Sequence, residues 1–173
     1  MTSTASPPPA RSDRPTPRPA GRLHEEVRAA RLRVANINPR TGLATDYLNH
    51  FNEAIMLLEM IPDLPESAEE FLRWRPRSYR EHFMASNFRA RELAIEAYDS
   101  ADSSIRAEFD NITSAMISIL TAVSAAIRGV SQDRTRAELA EQATGWMKPL
   151  VALAGSIING GSEADVDTIM ASG

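Results

Sequence analysis

The stretch GLATDYLNHFNEAIMLLEMI, residues 42–61, decides the fold. Tyr47, Phe51, Ala54, Ile55, Leu58 and Ile61 recur at steps of three or four residues. That spacing puts them on one stripe of an α-helix, while Pro62 and Pro65 end it. The segment therefore reads as an amphipathic helix over about 42–61.

Working outward, ESAEEFLRW at 66–74 reads as a short helix, with acids in its first turn and arginine at its end, as the helix dipole favours. Pro76 suits the first turn of a long helix reaching Ser100. That helix carries two apolar stripes: Tyr79, Phe83, Ala90, Leu93, Ala94 and Ala97 on one, and Met84, Phe88, Ile95 and Tyr98 on the other. A helix apolar on two sides is expected at the centre of a bundle or in an oligomer interface. Residues 104–129 place Ile105, Phe109, Ile112, Met116, Ile119, Val123 and Ile127 on one stripe, beside a line of small residues from Ser114 to Ala125. Residues 132–159 carry Leu139, Ala143, Trp146, Leu150, Leu153 and Ile157, with a kink expected at Pro149. Gly160-Gly161 ends this helix, and Ser162 caps a short final one reaching Met170. Upstream, residues 23–36 form a shorter helix with Leu23, Val27, Ala30 and Val34 on one side, an arm on the bundle. No run of alternating β-branched residues bounded by turn signals interrupts this pattern. The expected fold is all-α, a four-helix bundle with additional short helices.

Six of the 11 prolines lie in residues 1–22, with four arginines and Asp13 as the one acid. Such a segment cannot bury enough apolar surface to offset the entropy of ordering, so it reads as a disordered N-terminal tail. Its net charge of +3, set against −4 for the whole chain, leaves −7 on residues 23–173, read as one helical domain. The tail also lacks the apolar core of a secretory signal, and the expected location is the cytoplasm.

With no cysteine among 173 residues, a disulfide framework, a zinc finger and a thiol nucleophile are all excluded. The acidic balance argues against a nucleic-acid binder held by a general positive field. The longest uncharged run, Asn111 to Ile127, has 17 residues and six Ser, Thr or Asn, short of a membrane span.

Asp46, His50 and Glu53 fall on one strip of the 42–61 helix, and His82, Glu92 and Glu96 follow one another along the 76–100 helix. Carboxylates beside imidazoles are the ligand chemistry of Fe, Mn or Zn, so these six residues form a candidate divalent metal site if the helices pack antiparallel. The order His50-x-x-Glu53 reverses the Glu-x-x-His of ferritin-like sites, and no second copy occurs. The competing structural reading is a buried salt bridge from Arg89 to Asp46 or Glu53, with both histidines hydrogen-bonded at the core edge. LNHFNEAI, residues 48–55, is similar over eight residues to the phosphoacceptor helix of histidine kinases, which implies phosphotransfer on His50; no Gly-rich nucleotide-binding segment follows it. Arg73, Arg75, Arg77 and Arg80, interleaved with Trp74 and Tyr79, form a candidate anion-binding patch. Phosphate-loop, nucleophile-elbow and zincin motifs do not occur. The expected function is therefore non-enzymatic: a binding or regulatory interaction module without a cofactor, meeting a protein partner or a second copy through the 79–98 helix.

Overall fold

The computed structural model describes residues 19–161, and the regular structure there is helical, with no strand beyond a single isolated bridge between Ile37 and Ala44. The all-α reading holds. Most of the expected tail and the short helix at 162–170 lie outside the described residues.

Helix α1 spans Pro19–Val34, beginning four residues before the expected Leu23, with Pro19 at the first position, where its missing N–H costs nothing. Residues 38–43 turn tightly: Asn38 N–H bonds to the carbonyl of Leu43, and Gly42 N–H to that of Asn38. Gly42 has φ +72°, and a Cβ there would lie 2.7 Å from the carbonyl oxygen of Ala97. The expected helix from 42 therefore starts later, as a 3₁₀ turn at Thr45–Tyr47 that runs into α2, Leu48–Met60.

Every residue of the deciding stripe is buried, Phe51, Ala54 and Leu58 completely, and Leu48, His50 and Leu57 are buried as well. Helix α2 thus buries more than one face, packing against α3 (Ser67–Arg73) and α7 (Asp133–Ile158). It occupies the central position that the sequence assigns to residues 76–100.

The long 76–100 helix is a correction: it is two short helices, α4 at Tyr79–Ala85 and α5 at Arg91–Asp99. Pro76 stays outside, because Ser78 starts α4 through a capping box. Ser78 Oγ accepts from Glu81 N–H at 3.1 Å, and Glu81 Oε1 accepts from Ser78 N–H at 3.2 Å. Ser86 ends it. Its hydroxyl donates to the carbonyl of Phe83 and accepts from Phe88 N–H, offering the backbone a local alternative to the helix. The break turns the ring of Phe88 onto Phe83, 5.6 Å between centroids, and leaves Met84 exposed. The self-association surface expected on one continuous 79–98 helix is correspondingly divided.

Helix α6, Ser103–Arg128, begins at Asp102, whose carboxylate accepts from Ser104 and Ile105 N–H. It packs along α7, to which a short connection joins it. An 18-residue window of α6 has mean hydropathy 1.4, so by length and composition alone this helix could cross a membrane. Its Phe109, Met116, Leu120 and Ile127 are buried in the protein core. On α7 Ala143, Leu153 and Ile157 of the expected stripe are buried, but at its middle Met147 is fully buried while Trp146 is half exposed. The helix continues across Pro149, whose missing N–H would have bonded the carbonyl of the exposed Gly145. Beyond Asn159, Gly160 takes φ +88°, with Gly160 N–H on the carbonyl of Ile157 and Gly161 N–H on that of Ser156, the pattern of a Schellman cap. Thr41 Oγ1 donates to the carbonyl of Ile158 at 2.7 Å, tying the 38–43 turn to this end of α7.

Candidate functional site

An aromatic and imidazole cluster joins the start of α2, the 74–78 connection and α4. Tyr47 packs edge-on against Phe51 and Tyr79, each 5.2 Å between centroids, and donates its hydroxyl to the carbonyl of Arg77 at 2.6 Å. Tyr79 accepts from Ala44 N–H at 3.0 Å. Burial holds both phenols well above their ordinary pKa. Tyr98 stacks on Tyr79 and donates to Asp110 at 2.7 Å; burial first, then that carboxylate, push its pKa up to about 12.

His50 sits inside this cluster, 6% exposed and stacked on Trp74 with 4.5 Å between centroids. Its Nε2 accepts from Arg77 N–H at 2.9 Å, and its carbonyl accepts from the Trp74 indole at 3.2 Å. Accepting at Nε2 places the proton of the neutral ring on Nδ1. Burial foremost, then the neighbouring His82 and Arg77, lowers its pKa from 6.5 to about 4. Nε2, one of the two imidazole nitrogens at which phosphotransfer could occur, is filled by a backbone donor.

Asp46 does not meet Arg89. It accepts from His82 Nε2 at 2.9 Å and from the Asn49 amide at 3.4 Å, so the expected salt bridge is replaced by a His–Asp pair. The structure brings together Asp46, His50 and His82, the two rings lying 6.0 Å apart. It does not bring Glu53, Glu92 or Glu96 to them: all three are exposed, and Glu96 lines a small cavity with His24, Arg28 and Arg31. Among the described residues no three His, Asp or Glu gather as a metal ligand set would. The arginines of the candidate anion patch are also dispersed in role. Arg80 pairs with Asp99 at 2.6 Å, Arg75 turns back onto the carbonyls of Leu72 and Trp74, and Arg77 offers its backbone to His50. Arg73 sits exposed in the last turn of α3.

Two adjoining depressions correspond to no motif in the sequence. A polar cleft of about 730 Å³ lies over Asp46 and is lined chiefly by amides and guanidiniums, among them Asn36, Asn49, Asn52, Asn159, Arg33 and Arg40. Beside it, sharing Asn36 and Phe88, runs an apolar groove of about 850 Å³ between α1 and residues 87–93. Val27, Ala30 and Val34 form one wall, and Phe88, Ala90 and Leu93 the other. Val34 is 87% exposed and Val27 59%. A smaller apolar hollow of about 400 Å³ lies between α6 and α7, with Trp146 at its rim. The sequence signal for the groove was present in the α1 stripe. What it lacked was the opposing wall, which exists because the chain breaks at Ser86. Comparison of the chain with family models, curated proteins and solved structures gives no match.

Proposed function

We propose that the protein works by binding, as a small helical interaction module whose docking surface is the apolar groove between α1 and residues 87–93. The observation that carries this reading is the groove itself: a continuous depression with large aliphatic side chains on one wall and Phe88 and Leu93 on the other, open to solvent. Apolar surface gathered in one place and rimmed by polar groups marks an interaction site, whereas scattered single side chains do not. An amphipathic helix laid by its apolar face into such a groove is a recurring mode of recognition. The amide-lined cleft at its end supplies both donors and acceptors, suited to the polar flank of the same partner.

A photo-reactive residue tests this when placed at Val27 or Leu93, with Glu138 on the exposed face of α7 as control. Cross-linked adducts are expected at the two groove positions and not at Glu138. Absence of adducts at both groove positions, with purified protein and in lysate of the source cells alike, overturns the reading.

A further inference from the structure

The chain leaves α7 beside the polar cleft. Gly160 lies against the guanidinium of Arg40, whose carbon is 3.4 Å from where a Cβ would stand, and Ile158, Asn159 and Arg40 all line that cleft. The cleft meets the apolar groove at Asn36 and Phe88. Residues 162–173, SEADVDTIMASG, hold Glu163, Asp165 and Asp167 with no lysine or arginine. Their large apolar residues are Val166, Ile169 and Met170. The last two stand three and four positions after the first, the spacing of one face of a helical turn.

We infer that residues 162–173 occupy the groove of their own chain, setting Val166, Ile169 and Met170 against Val27, Val34 and Leu93, a proposal that rests on the groove being a docking surface. Charge separates this occupant from the others. The charged side chains of the groove are Arg31 and Arg89, and those of the cleft are Arg33, Arg40 and Asp46. Asp46 is bonded to His82, whereas none of these four arginines has an ion-pair partner among the described residues. The small cavity beyond the groove adds His24, Arg28 and Glu96. Arg22, Glu25, Glu26, Arg91 and Glu92, the remaining charges of α1 and of the first turn of α5, line none of the three. Five arginines against two carboxylates leave this side of the protein basic by three charges, and residues 162–173 are acidic by three. The residues before Pro19 carry three arginines against Asp13, and α1 of a second copy is basic by two, so either would bring like charge to a basic surface.

Reach favours the same segment. Ser162 to Asp165, extended, span about 13 Å. The cleft they have to cross has the volume of a cube about 9 Å on edge. Crossing it carries the acids past Arg40 and Arg33 before Val166 meets the groove. A tether this short holds the segment at millimolar effective concentration, so a contact too weak to form between separate chains is populated within one. Any external partner of the groove then competes with the protein's own acidic segment.

The chain has no cysteine, so a disulfide between Val27→Cys and Ile169→Cys reports this contact in the full chain. In oxidised glutathione buffer it should form within monomers, at a rate independent of protein concentration. Arg31→Glu with Arg89→Glu in that background should slow it roughly tenfold, and so should Val166→Asp with Met170→Asp. Val27, Arg31 and Arg89 are exposed, so the far-ultraviolet circular dichroism should not change. Adding Asp165→Arg and Asp167→Arg to the arginine variant should restore the rate. A disulfide that forms only between two chains overturns the proposal. So does a rate indifferent to both pairs of substitutions, the behaviour of a tether without a docking site, and so does failure of the charge-swapped variant to recover. If the rate is indifferent while Val27 still cross-links to a different protein, occupancy by residues 162–173 is refuted and the docking reading stands. Absence of both the disulfide and the adduct removes both.

Discussion

His50 is held at both ends, its ring nitrogen by Arg77 N–H and its carbonyl by the Trp74 indole. Its pKa of about 4 lies below the 6.5 of an unfolded chain, so on acidification the unfolded state takes up the proton first. The contribution of this residue is complete above pH 6.5 and is lost progressively as the pH falls towards 4. With solvent at the ring edge reducing the full shift, the loss is about 2 kcal/mol. Urea denaturation of wild type and His50→Gln across this range should show a steeper fall for wild type, and parallel curves would contradict the assignment. Gly42 makes a second prediction at this scale. Its φ of +72° and the 2.7 Å approach to the Ala97 carbonyl leave no room for a methyl group, so Gly42→Ala should cost about 2 kcal/mol in the same measurement. Neither effect was legible in the sequence. Helical spacing groups His50 with Asp46 and Glu53 on one strip, but a strip fixes direction and not the partner waiting there.

Helix α4 is seven residues long and owes its start to one capping box. Ser78→Ala should therefore lower stability by about 1 kcal/mol, read from the denaturation midpoint at constant slope. An unchanged midpoint would mean that packing of Tyr79 and Phe83 alone holds the helix. The break after α4 shows how much of an element is readable from periodicity. Apolar spacing continues through Ser86 and Asn87 as if the helix did, because residues of both short helices face one core. Ser86 and its backbone bonds are the local signal of the break, and a single serine in a helical pattern is weak against ten apolar positions in register. The same ambiguity shifts one position of α7: Trp146 and Met147 are neighbours, either could sit on the stripe, and the smaller, more pliable Met147 fills the core while the indole stays at the surface.

Across the whole molecule, stability is unevenly spread. Helices α2, α6 and α7 share the core, and ion pairs from Lys148 to Glu59 and from Arg136 to Glu69 link α7 to α2 and α3 at the surface. Phe51, completely buried among Tyr47, His50 and the core aliphatics, should cost about 3–5 kcal/mol on truncation to alanine, with global unfolding following suit. A loss under about 1 kcal/mol would show that the site collapses around the gap. Helix α1 holds on through Leu32. Its amides should exchange by local opening, far faster than those of α7. Equal protection of α1 and α7 in dilute protein would show that the arm belongs to the same cooperative unit.

The sequence by itself determined the helical class, the opposition of a +3 N-terminal segment to a −7 remainder, and the buried face of residues 47–61. These depend on composition and on the spacing of neighbours a few residues apart, which the chain carries locally. Tertiary structure alone decided that α2 rather than residues 76–100 is central, that Asp46 meets His82 across 36 positions, and that the break at Ser86 opens a groove beside α1. Each of these is a matter of which faces pack together, and that choice is made by the volume and hydrogen-bonding needs of residues far apart in the chain. Helical periodicity limits the faces on offer without selecting among them.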